Sequence, residues 1–148
     1  MTRDEFGEVC QHFLDRNGVQ HFSPYEIADV GRRKESVRLQ APPMLMLDNT
    51  LPLIRVLEWL RERETTAPVL INSWYRDPYY NSAVGGVTNS MHLILGAADI
   101  TKVGFSPQQV AGMLESHPEA QTFGIGCYNS FVHLDIRGHL RRKAPARW

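Results

Sequence analysis

Apolar side chains recur every three or four positions near the start of the chain, at Phe6, Val9, Cys10, Phe13 and Leu14. This spacing places them on one face of a helix. The segment from Thr2 to Glu5 has capping-box spacing, and Gly18 is suited to end the helix. We therefore predict a first helix in which Cys10 is a small core residue rather than a reactive thiol.

Two further helices are predicted in the first half of the chain. In Ser23–Glu26 a cap residue, a proline and a glutamate follow one another at helix-start spacing, which predicts one or two turns extending to about Asp29. The main helix is predicted within Met44–Glu64, where apolar and charged residues occupy opposite faces. Pro52 either lies in its first turn, behind Thr50, or kinks a longer helix. Residues 30–43 are polar and basic, which predicts a loop.

The second half of the chain shows patterns typical of strands. They are predicted at Val69–Ser73, Ala97–Thr101, Phe123–Tyr128 and Phe131–Ile136. Ser106–Gln109 forms another capping box, which opens a helix that stops before Pro118. Helices come first and strands later, without a regular alternation of strand and helix. This order predicts an α+β fold with a small antiparallel sheet flanked by helices.

Length, composition and charge limit the class of protein. The chain has 148 residues, 43% of them hydrophobic and 22% charged, as in one soluble globular domain. We expect a single domain over residues 1–148. Sixteen basic residues balance sixteen acidic ones, so no overall field attracts nucleic acid or an anionic membrane. Five basic residues lie in the final segment, either as solvated surface or as a surface for an anionic polymer such as a cell wall: Arg137, Arg141, Arg142, Lys143 and Arg147.

The sequence shows no targeting or membrane-spanning segment. No run of 18 apolar residues occurs, and Met1–Glu5 is not followed by the apolar region of a secretory signal. Cys10 and Cys127 are too few for a disulfide framework, which favours reduced thiols. We therefore expect a monomer made in the cytoplasm without a signal peptide, with no nucleic acid partner and no stable membrane association.

Three polar residues stand out from the predicted core. His92 precedes Asp99 by seven residues, and Asp99 lies in a strand of small and apolar residues, where an unpaired carboxylate is costly. In Phe131–Ile136 the period-two pattern places His133 and Asp135 together on the face opposite the core. The strands can therefore bring His92, Asp99 and His133 to one point. Two imidazoles and a carboxylate suit a catalytic zinc with an open position for water, although hydrogen-bonded structural histidines are the alternative.

These motifs, taken in order, resemble a known enzyme family. His92–Asp99 followed by Val132–Asp135 resembles the zinc-dependent D-Ala-D-Ala carboxypeptidase and peptidoglycan endopeptidase family, whose metal-binding core the hedgehog signalling domain shares. Ile71–Arg76 resembles that family's strand leading to a tyrosine-arginine pair. The likeness covers roughly residues 21–148, so residues 1–20 form an additional N-terminal helix. Further matching positions are Asn81, Val84, Gly85, Gly86, Ser90, Gly124–Gly126, Tyr128 and Ala146–Trp148.

The resemblance implies hydrolysis of an amide bond in bacterial peptidoglycan stem peptides, involving a D-amino acid. It implies one zinc ion per chain, held by His92, Asp99 and His133. Arg76 would pair with a substrate carboxylate or stabilise the developing oxyanion. The substrate-binding residues it implies are Tyr75, Arg76, Asn81 and Ser90.

The chain departs from this family's pattern at two places. The glycine usually found three residues after the first histidine is one position later, at Gly96, with Leu95 in its place. Many members have a catalytic acid three residues before the last histidine, where this chain has Ser130, a poor base near pH 7. Asp135 is the predicted catalytic replacement, acting either as a base or proton shuttle, or by orienting a ligand imidazole.

Three functions remain open from the sequence. The first is a zinc peptidase of the bacterial cell wall. The lack of a signal in a small domain favours a bacteriophage lysis enzyme or a virion protein that opens the wall. Ser130 favours the second, a non-catalytic zinc-containing module that binds the cell wall or serves a structural role in a virion. The third, a nucleic-acid binder using Arg32–Lys34 and the basic C-terminal segment, is disfavoured by the balanced charge.

Overall fold

The computed structural model describes residues 3–28 and 41–148. The predicted cap at Thr2 and most of the predicted loop over residues 30–43 lie outside these ranges. None of the described helices is long and apolar enough to span a membrane. The helices are α1 (Arg3–Arg16), α2 (Pro24–Ala28), α3 (Leu47–Glu62), α4 (Pro78–Ala83) and α5 (Pro107–Glu115). Short 3₁₀ helices cover Met44–Met46, Met91–Ile94 and Ala120–Thr122.

A five-stranded sheet carries the second half of the chain. Its strands are β1 (Val69–Ser73), β2 (Ala97–Lys102), β3 (Gly124–Cys127), β4 (Val132–Asp135) and β5 (Ala146–Arg147), in the order β1-β2-β4-β3-β5. The pairs among β1 to β4 are antiparallel, whereas β5 pairs in parallel with β3. The predicted α+β fold is confirmed. The two-residue strand β5 was not predicted, since so short a segment carries no alternating pattern.

The main helix is continuous through its proline. Pro52 lies inside α3, five residues after its first residue Leu47, so the structure selects the longer helix over one that begins at Thr50. The Thr50 hydroxyl is fully buried and accepts a hydrogen bond of 3.0 Å from the indole of Trp74. This contact joins α3 to the segment that follows β1.

A buried lysine fastens α3 to the sheet. Lys102, at the end of β2, is only 1% exposed. Its ammonium donates hydrogen bonds to the carbonyl oxygens of Leu60 at 2.6 Å, Arg61 at 3.1 Å and Thr65 at 2.7 Å. The last carbonyls of a helix lack hydrogen-bond donors within it and carry partial negative charge. A buried ammonium supplies the donors and offsets that charge. Burial and the neighbouring Arg61 lower the pKa of Lys102.

The N-terminal helix packs into the same core as the sheet. Phe6, Cys10 and Leu14 of α1 belong to one apolar cluster with Ile100 of β2 and Leu134 of β4. Cys10 is fully buried, as predicted, and burial raises the pKa of its thiol to about 12. Both cysteines are free thiols.

Candidate metal centre

Strand register brings the first two candidate ligands together. Asp99 of β2 lies directly opposite His133 of β4 in an antiparallel pair. Side chains of opposed residues lie on the same face of a sheet, about 5 Å apart at Cβ. Asp99 and His133 therefore project from the same face, while Val132 and Leu134 of β4 are fully buried on the other. This is the arrangement that the period-two pattern predicted.

The third ligand comes from a short turn before β2. His92 lies in the 3₁₀ helix Met91–Ile94, and its backbone N–H donates a hydrogen bond of 3.3 Å to the Ser90 hydroxyl at the start of that helix. Leu95 ends the helix in the left-handed conformation, with φ of 59°. At Gly96 a Cβ atom would lie 2.8 Å from Cε of Met91 and 2.7 Å from the nearest methyl of Leu140. This close packing explains why position 96 is a glycine.

The three predicted ligands converge on one point. Asp99 Oδ1 lies 3.2 Å from Nε2 of His92 and 3.0 Å from Nδ1 of His133. One donor atom from each residue lies within 4.8 Å of the others. His92 and Asp99 are buried, and His133 is largely so. The geometry is therefore suited to a single small cation.

Hydrogen bonds behind the two imidazoles fix which nitrogen faces the centre. Nδ1 of His92 lies 2.6 Å from the carbonyl oxygen of Trp74. Because a carbonyl only accepts, Nδ1 carries the proton and Nε2 presents a lone pair to the centre. Nε2 of His133 lies 3.0 Å from Oδ2 of Asp135, so in the neutral form that keeps its proton on Nε2 the Nδ1 atom would present the second lone pair. With Asp99 Oδ1, three acceptors face one another, a donor set that fits zinc.

The charges of the site are strongly coupled. Burial raises the pKa of Asp99, but its close contacts with His133 and His92 outweigh burial and hold that pKa well below its usual range. Burial lowers the pKa of His92, which keeps its imidazole neutral. Burial also lowers the pKa of His133, yet hydrogen bonds to Asp135 and Asp99 outweigh it and raise the net value. An ionised Asp99 thus faces a neutral His92 and a His133 whose raised pKa favours its proton, and a bound metal cation would have to displace that proton from Nδ1.

Arg76 braces the outer oxygen of the metal-facing carboxylate. Its Nη2 donates to Oδ2 of Asp99 at 2.6 Å, and its Nε donates to the Ser73 hydroxyl at 3.0 Å. Its backbone N–H also donates to the carbonyl oxygen of His92 at 3.2 Å. Arg76 therefore leaves Oδ1 of Asp99 to face the two histidines. The guanidinium itself lines the cleft beside the centre.

Asp135 lies behind His133 and is held by a second arginine. Arg137 donates from Nε to Oδ1 at 2.8 Å and from Nη2 to Oδ2 at 2.7 Å. The Asp135 side chain has no exposed surface. Burial raises its pKa, but the hydrogen bonds from Arg137 and His133 lower the net value well below the usual range. Asp135 is therefore an ionised acceptor for the outer nitrogen of His133.

Two of the predicted substrate-binding residues are buried away from the cleft surface. Tyr75 is 7% exposed and belongs to the apolar core, and burial raises its pKa. Asn81 is 4% exposed, and its amide donates to the carbonyl oxygen of Val87 at 3.0 Å. At Gly86 a Cβ atom would lie 2.1 Å from Oδ1 of Asn81, so the loop folds closely over this side chain. Asn81 thus shapes the loop, whereas Ser90 does line the cleft.

The metal-facing atoms lie at the floor of a cleft of about 510 Å³. Its lining includes the loop around Gly85 and Gly86 and an aromatic wall. There Tyr128 and Phe131 stack with ring centroids 4.6 Å apart. The Trp148 indole donates to the Tyr128 hydroxyl at 2.8 Å, and its ring centroid lies 5.3 Å from that of His133. The cleft therefore offers both apolar and cationic surface.

Sequence reasoning did not predict the supporting role of three residues around the centre. The Trp74 carbonyl orients His92, Arg137 orients Asp135, and Trp148 packs on the Arg137 guanidinium at 5.2 Å from its ring centroid. The glycine at position 126 in β3 is the sequence feature that fits the Trp148 contact, because a Cβ atom there would lie 2.5 Å from the indole nitrogen. The Trp74 contact uses a backbone carbonyl, which every residue has, so no residue type in the sequence could have indicated it.

His21 and His139, the two weaker candidates from the sequence, do not take part in this centre. His21 pairs with Glu58 at 2.5 Å, and His139 pairs with Glu119 at 3.2 Å. Within residues 3–28 and 41–148, one group of three potential metal-binding side chains occurs, and it is His92, Asp99 and His133. The cysteines and other histidines do not join it.

Comparison with known proteins agrees with the geometry. The family model described as Peptidase M15 matches residues 20–135, which is more than half of the chain. The match begins after α1 and contains all three metal-facing residues. A search of curated proteins found no matching relative. On the strength of the family match, the chain belongs to the Peptidase M15 family of zinc D-Ala-D-Ala carboxypeptidases.

Proposed function

We propose that this chain is a zinc-dependent peptidase that cleaves an amide bond in peptidoglycan stem peptides next to a D-amino acid. One observation carries the proposal. The lone pairs of His92 Nε2 and His133 Nδ1 and an oxygen of Asp99 converge within 4.8 Å, at the floor of an open cleft. Three protein ligands and an open position are the arrangement of a catalytic zinc site.

The residues of the cleft have distinct tasks in this proposal. When bound, zinc polarises the scissile carbonyl and lowers the pKa of water toward about 7. Arg76 holds Asp99 through one nitrogen, and its guanidinium lines the cleft where the scissile carbonyl would lie. A fixed guanidinium stabilises negative charge that develops on that carbonyl oxygen. Arg76 therefore has two roles in this proposal, since it positions Asp99 and stabilises the oxyanion.

We assign Asp135 a positioning role through His133. Its carboxylate has no exposed surface and is bound on one side by His133 and on the other by Arg137. An ionised acceptor at Nε2 raises the basicity of the metal-facing nitrogen and fixes the plane of the ring. Of the two roles predicted from the sequence, these contacts favour orientation over direct proton transfer.

The substrate would lie between the glycine loop and the aromatic wall. Ser90 lines the cleft and also holds the helix that carries His92. Tyr75 and Asn81 are not among the cleft-lining residues, because both side chains are buried. We propose that the single domain acts as a monomer on the bacterial cell wall, as a bacteriophage protein, with α1 added to the family unit.

The test is hydrolysis of purified peptidoglycan by the full chain. The zinc-loaded protein should release new amino groups, a chelator should stop their release, and added zinc should restore it. His92→Ala, Asp99→Ala and His133→Ala should each lose the activity, whereas His139→Ala, which changes a surface histidine, should retain it. Zinc-loaded protein that binds peptidoglycan without releasing amino groups would overturn the peptidase proposal.

A second candidate function rests on the carboxylates of the cleft. Among the described residues, two carboxylates line it, and both are engaged, Asp99 at the metal centre and Asp135 with Arg137. Ser130, at the position of the usual catalytic acid, is exposed and is not part of the described cleft lining. A non-catalytic zinc-containing wall-binding or virion structural module would need no base. Zinc-dependent wall binding without cleavage is its expected result in the same assay.

A further inference from the structure

The proposed function leaves one positive charge of the cleft without a role. Three arginines line the cleft, Arg76, Arg137 and Arg142. Arg76 is paired with Asp99 at 2.6 Å, and Arg137 is paired with Asp135 at 2.7 Å. In the part of the chain that the structure describes, Arg142 forms no ion pair, and its side chain donates instead to an uncharged backbone oxygen. The cleft therefore presents one unneutralised guanidinium.

This guanidinium is held in place across the cleft rim. Nη1 of Arg142 donates to the carbonyl oxygen of Asn89 at 2.6 Å, and its backbone N–H donates to the carbonyl oxygen of Arg137 at 2.8 Å. Arg142 thus bridges the C-terminal segment and the loop that leads to the metal centre. Asn89 lies three residues before His92, a span of chain that covers at most about 11 Å. Arg142 also lines the same cleft as His92, so an anion bound at Arg142 would share that cleft with the candidate metal centre.

We propose that Arg142 binds a free carboxylate of the substrate peptide and so selects acidic stem peptides. This inference rests on the proposed function and adds the group by which the substrate is recognised. A guanidinium carries five N–H donors in a planar fork, and the bond to Asn89 uses one of them. The remaining donors match the two oxygens of a carboxylate. Arg142 lies beyond residues 20–135, outside the family match.

The family resemblance implied that Arg76 either pairs with a substrate carboxylate or stabilises the oxyanion, and for the first of these tasks the charges of the cleft favour Arg142. A substrate carboxylate at Arg76 would compete with Asp99, whose ionised form the metal centre needs. At Arg142 no described carboxylate competes, and the neighbouring aromatic wall can contact the apolar part of a peptide. Arg142 is therefore a substrate-binding residue, separate from the residues that hold the metal.

The first test measures peptide binding without turnover. The probes are a synthetic stem peptide with free carboxylates and matched peptides in which each carboxylate in turn is amidated. The full chain is titrated calorimetrically in the presence of a chelator. We expect amidation of one carboxylate to weaken binding by about tenfold or more, as for a charge-assisted hydrogen bond. Equal affinity for all the peptides would overturn the proposal.

Variants locate the effect on Arg142. Arg142→Gln should bind all the peptides equally weakly, and Arg142→Lys should keep part of the preference because it keeps the charge. Lys143→Gln removes a neighbouring exposed charge that does not line the described cleft and should bind as the unaltered chain does. Thermal unfolding of each variant verifies that it is folded. An Arg142→Gln variant that keeps the full preference would contradict the proposal.

Kinetics on the zinc-loaded chain separate this inference from the proposed function. Arg142→Gln should raise KM about tenfold for the peptide with free carboxylates and leave kcat nearly unchanged, because it removes uniform binding. If no hydrolysis occurs but carboxylate-dependent binding persists, the peptidase proposal fails and the role of Arg142 stands. If hydrolysis occurs and Arg142→Gln leaves KM unchanged, the role of Arg142 is wrong and the peptidase proposal stands.

Discussion

Oδ2 of Asp135 lies 3.0 Å behind Nε2 of His133, on the side of the ring opposite the metal-facing nitrogen. Arg137 holds the same carboxylate through both oxygens, and the Trp148 ring covers Arg137. A chain of contacts therefore runs from the C-terminal segment to one of the three metal-facing groups. The orientation of that ligand depends on residues that follow the family match, which ends at residue 135.

Asp135→Asn should weaken metal binding. The amide cannot offer two oxygens to Arg137, so the support of His133 is lost, and removal of such a partner typically costs about 10-fold to 100-fold in affinity. The measurement is competition for zinc against a chromogenic chelator. Glu115→Gln is the matched control, because Glu115 also pairs with an arginine, Arg147, but on the surface.

The same variant separates the two roles of Asp135. If it binds zinc as tightly as the unaltered chain and yet loses hydrolysis, Asp135 acts in proton transfer rather than in positioning. Glu115→Gln should change neither zinc affinity nor hydrolysis. A loss of affinity in that control would show that the competition assay responds to general surface changes.

Zinc should raise the thermal stability of the chain. At a free concentration 1,000 times the dissociation constant, a ligand of the folded state adds about 4 kcal/mol. For a chain of this length, this corresponds to an increase in Tm on the order of 10 °C. The measurement is calorimetric unfolding with zinc and with a chelator.

Two histidine variants test where that stabilisation arises. His92→Ala removes a metal-facing nitrogen, so its Tm should be nearly the same with zinc and with chelator. His139→Ala removes a surface histidine that pairs with Glu119, and it should keep the full increase. An increase that persists in His92→Ala would place the bound zinc elsewhere on the chain.

Lys102→Met should strongly destabilise the fold. The ammonium donates to three carbonyl oxygens at and beyond the end of α3, and methionine removes this donor, although the Leu60 oxygen keeps the Arg63 backbone N–H. Each unsatisfied buried polar group costs about 1–3 kcal/mol, so we expect a loss of roughly 3 kcal/mol or more. Chemical unfolding measures this loss. The control Lys143→Met changes an exposed lysine and should stay within about 0.5 kcal/mol; equal losses in the two variants would refute the capping role.

The buried thiol of Cys10 should make the fold sensitive to alkali. Its pKa in the folded chain is about 12, whereas an exposed cysteine titrates near about 8.5. A raised folded-state pKa contributes stability below the unfolded value, and this contribution is lost as the pH rises from about 8.5 toward 12. The loss is about 1.4 kcal/mol per pH unit in that window.

Denaturant unfolding at pH 7.5, 9 and 10 would show this dependence. Cys10→Ala should lower the free energy of unfolding at every pH, because it leaves a cavity, but its value should fall less steeply with pH. Cys127→Ala replaces the exposed thiol and should follow the slope of the unaltered chain. Identical slopes for the chain and for Cys10→Ala would contradict the burial argument.

Gly126→Ala should displace the Trp148 ring. The new methyl would lie 2.5 Å from the indole nitrogen, and overpacking of this kind costs about 1–3 kcal/mol. Tryptophan fluorescence and chemical unfolding report the change. Gly112→Ala is the control, because no atom lies within 4 Å of its added methyl in α5, and alanine there should stabilise by about 0.5–1 kcal/mol.

A double variant shows whether the cost arises from the indole. In Gly126→Ala combined with Trp148→Ala, the methyl no longer meets the ring, so the combined loss should be smaller than the sum of the two single losses. Simple additivity would mean that the glycine is needed for another reason.

The local sequence pattern was sufficient to predict strand bounds, side-chain faces and helix starts, because each of these depends on a short segment of chain. The predicted strand Val69–Ser73 has the bounds found for β1, and the alternation in Phe131–Ile136 correctly placed His133 and Asp135 on one face. The capping box at Ser106 is formed, and at Ser23 one half of it is formed, in which the Glu26 carboxylate accepts from the Ser23 backbone N–H. These features depend on backbone geometry and on neighbours within four residues, so one stretch of chain contains their physical cause.

Tertiary structure alone decided what the candidate residues touch. Nothing local to Tyr75 or Asn81 indicates that each is buried, and no pattern pairs Arg137 with Asp135 or leaves Arg142 without a carboxylate. The sequence by itself determined most of the elements, though not α4 or β5, and it singled out the three candidate ligands. Strand register and the packing of distant segments determined their orientation, because hydrogen-bond partners and exposure are properties of residues that meet only after folding.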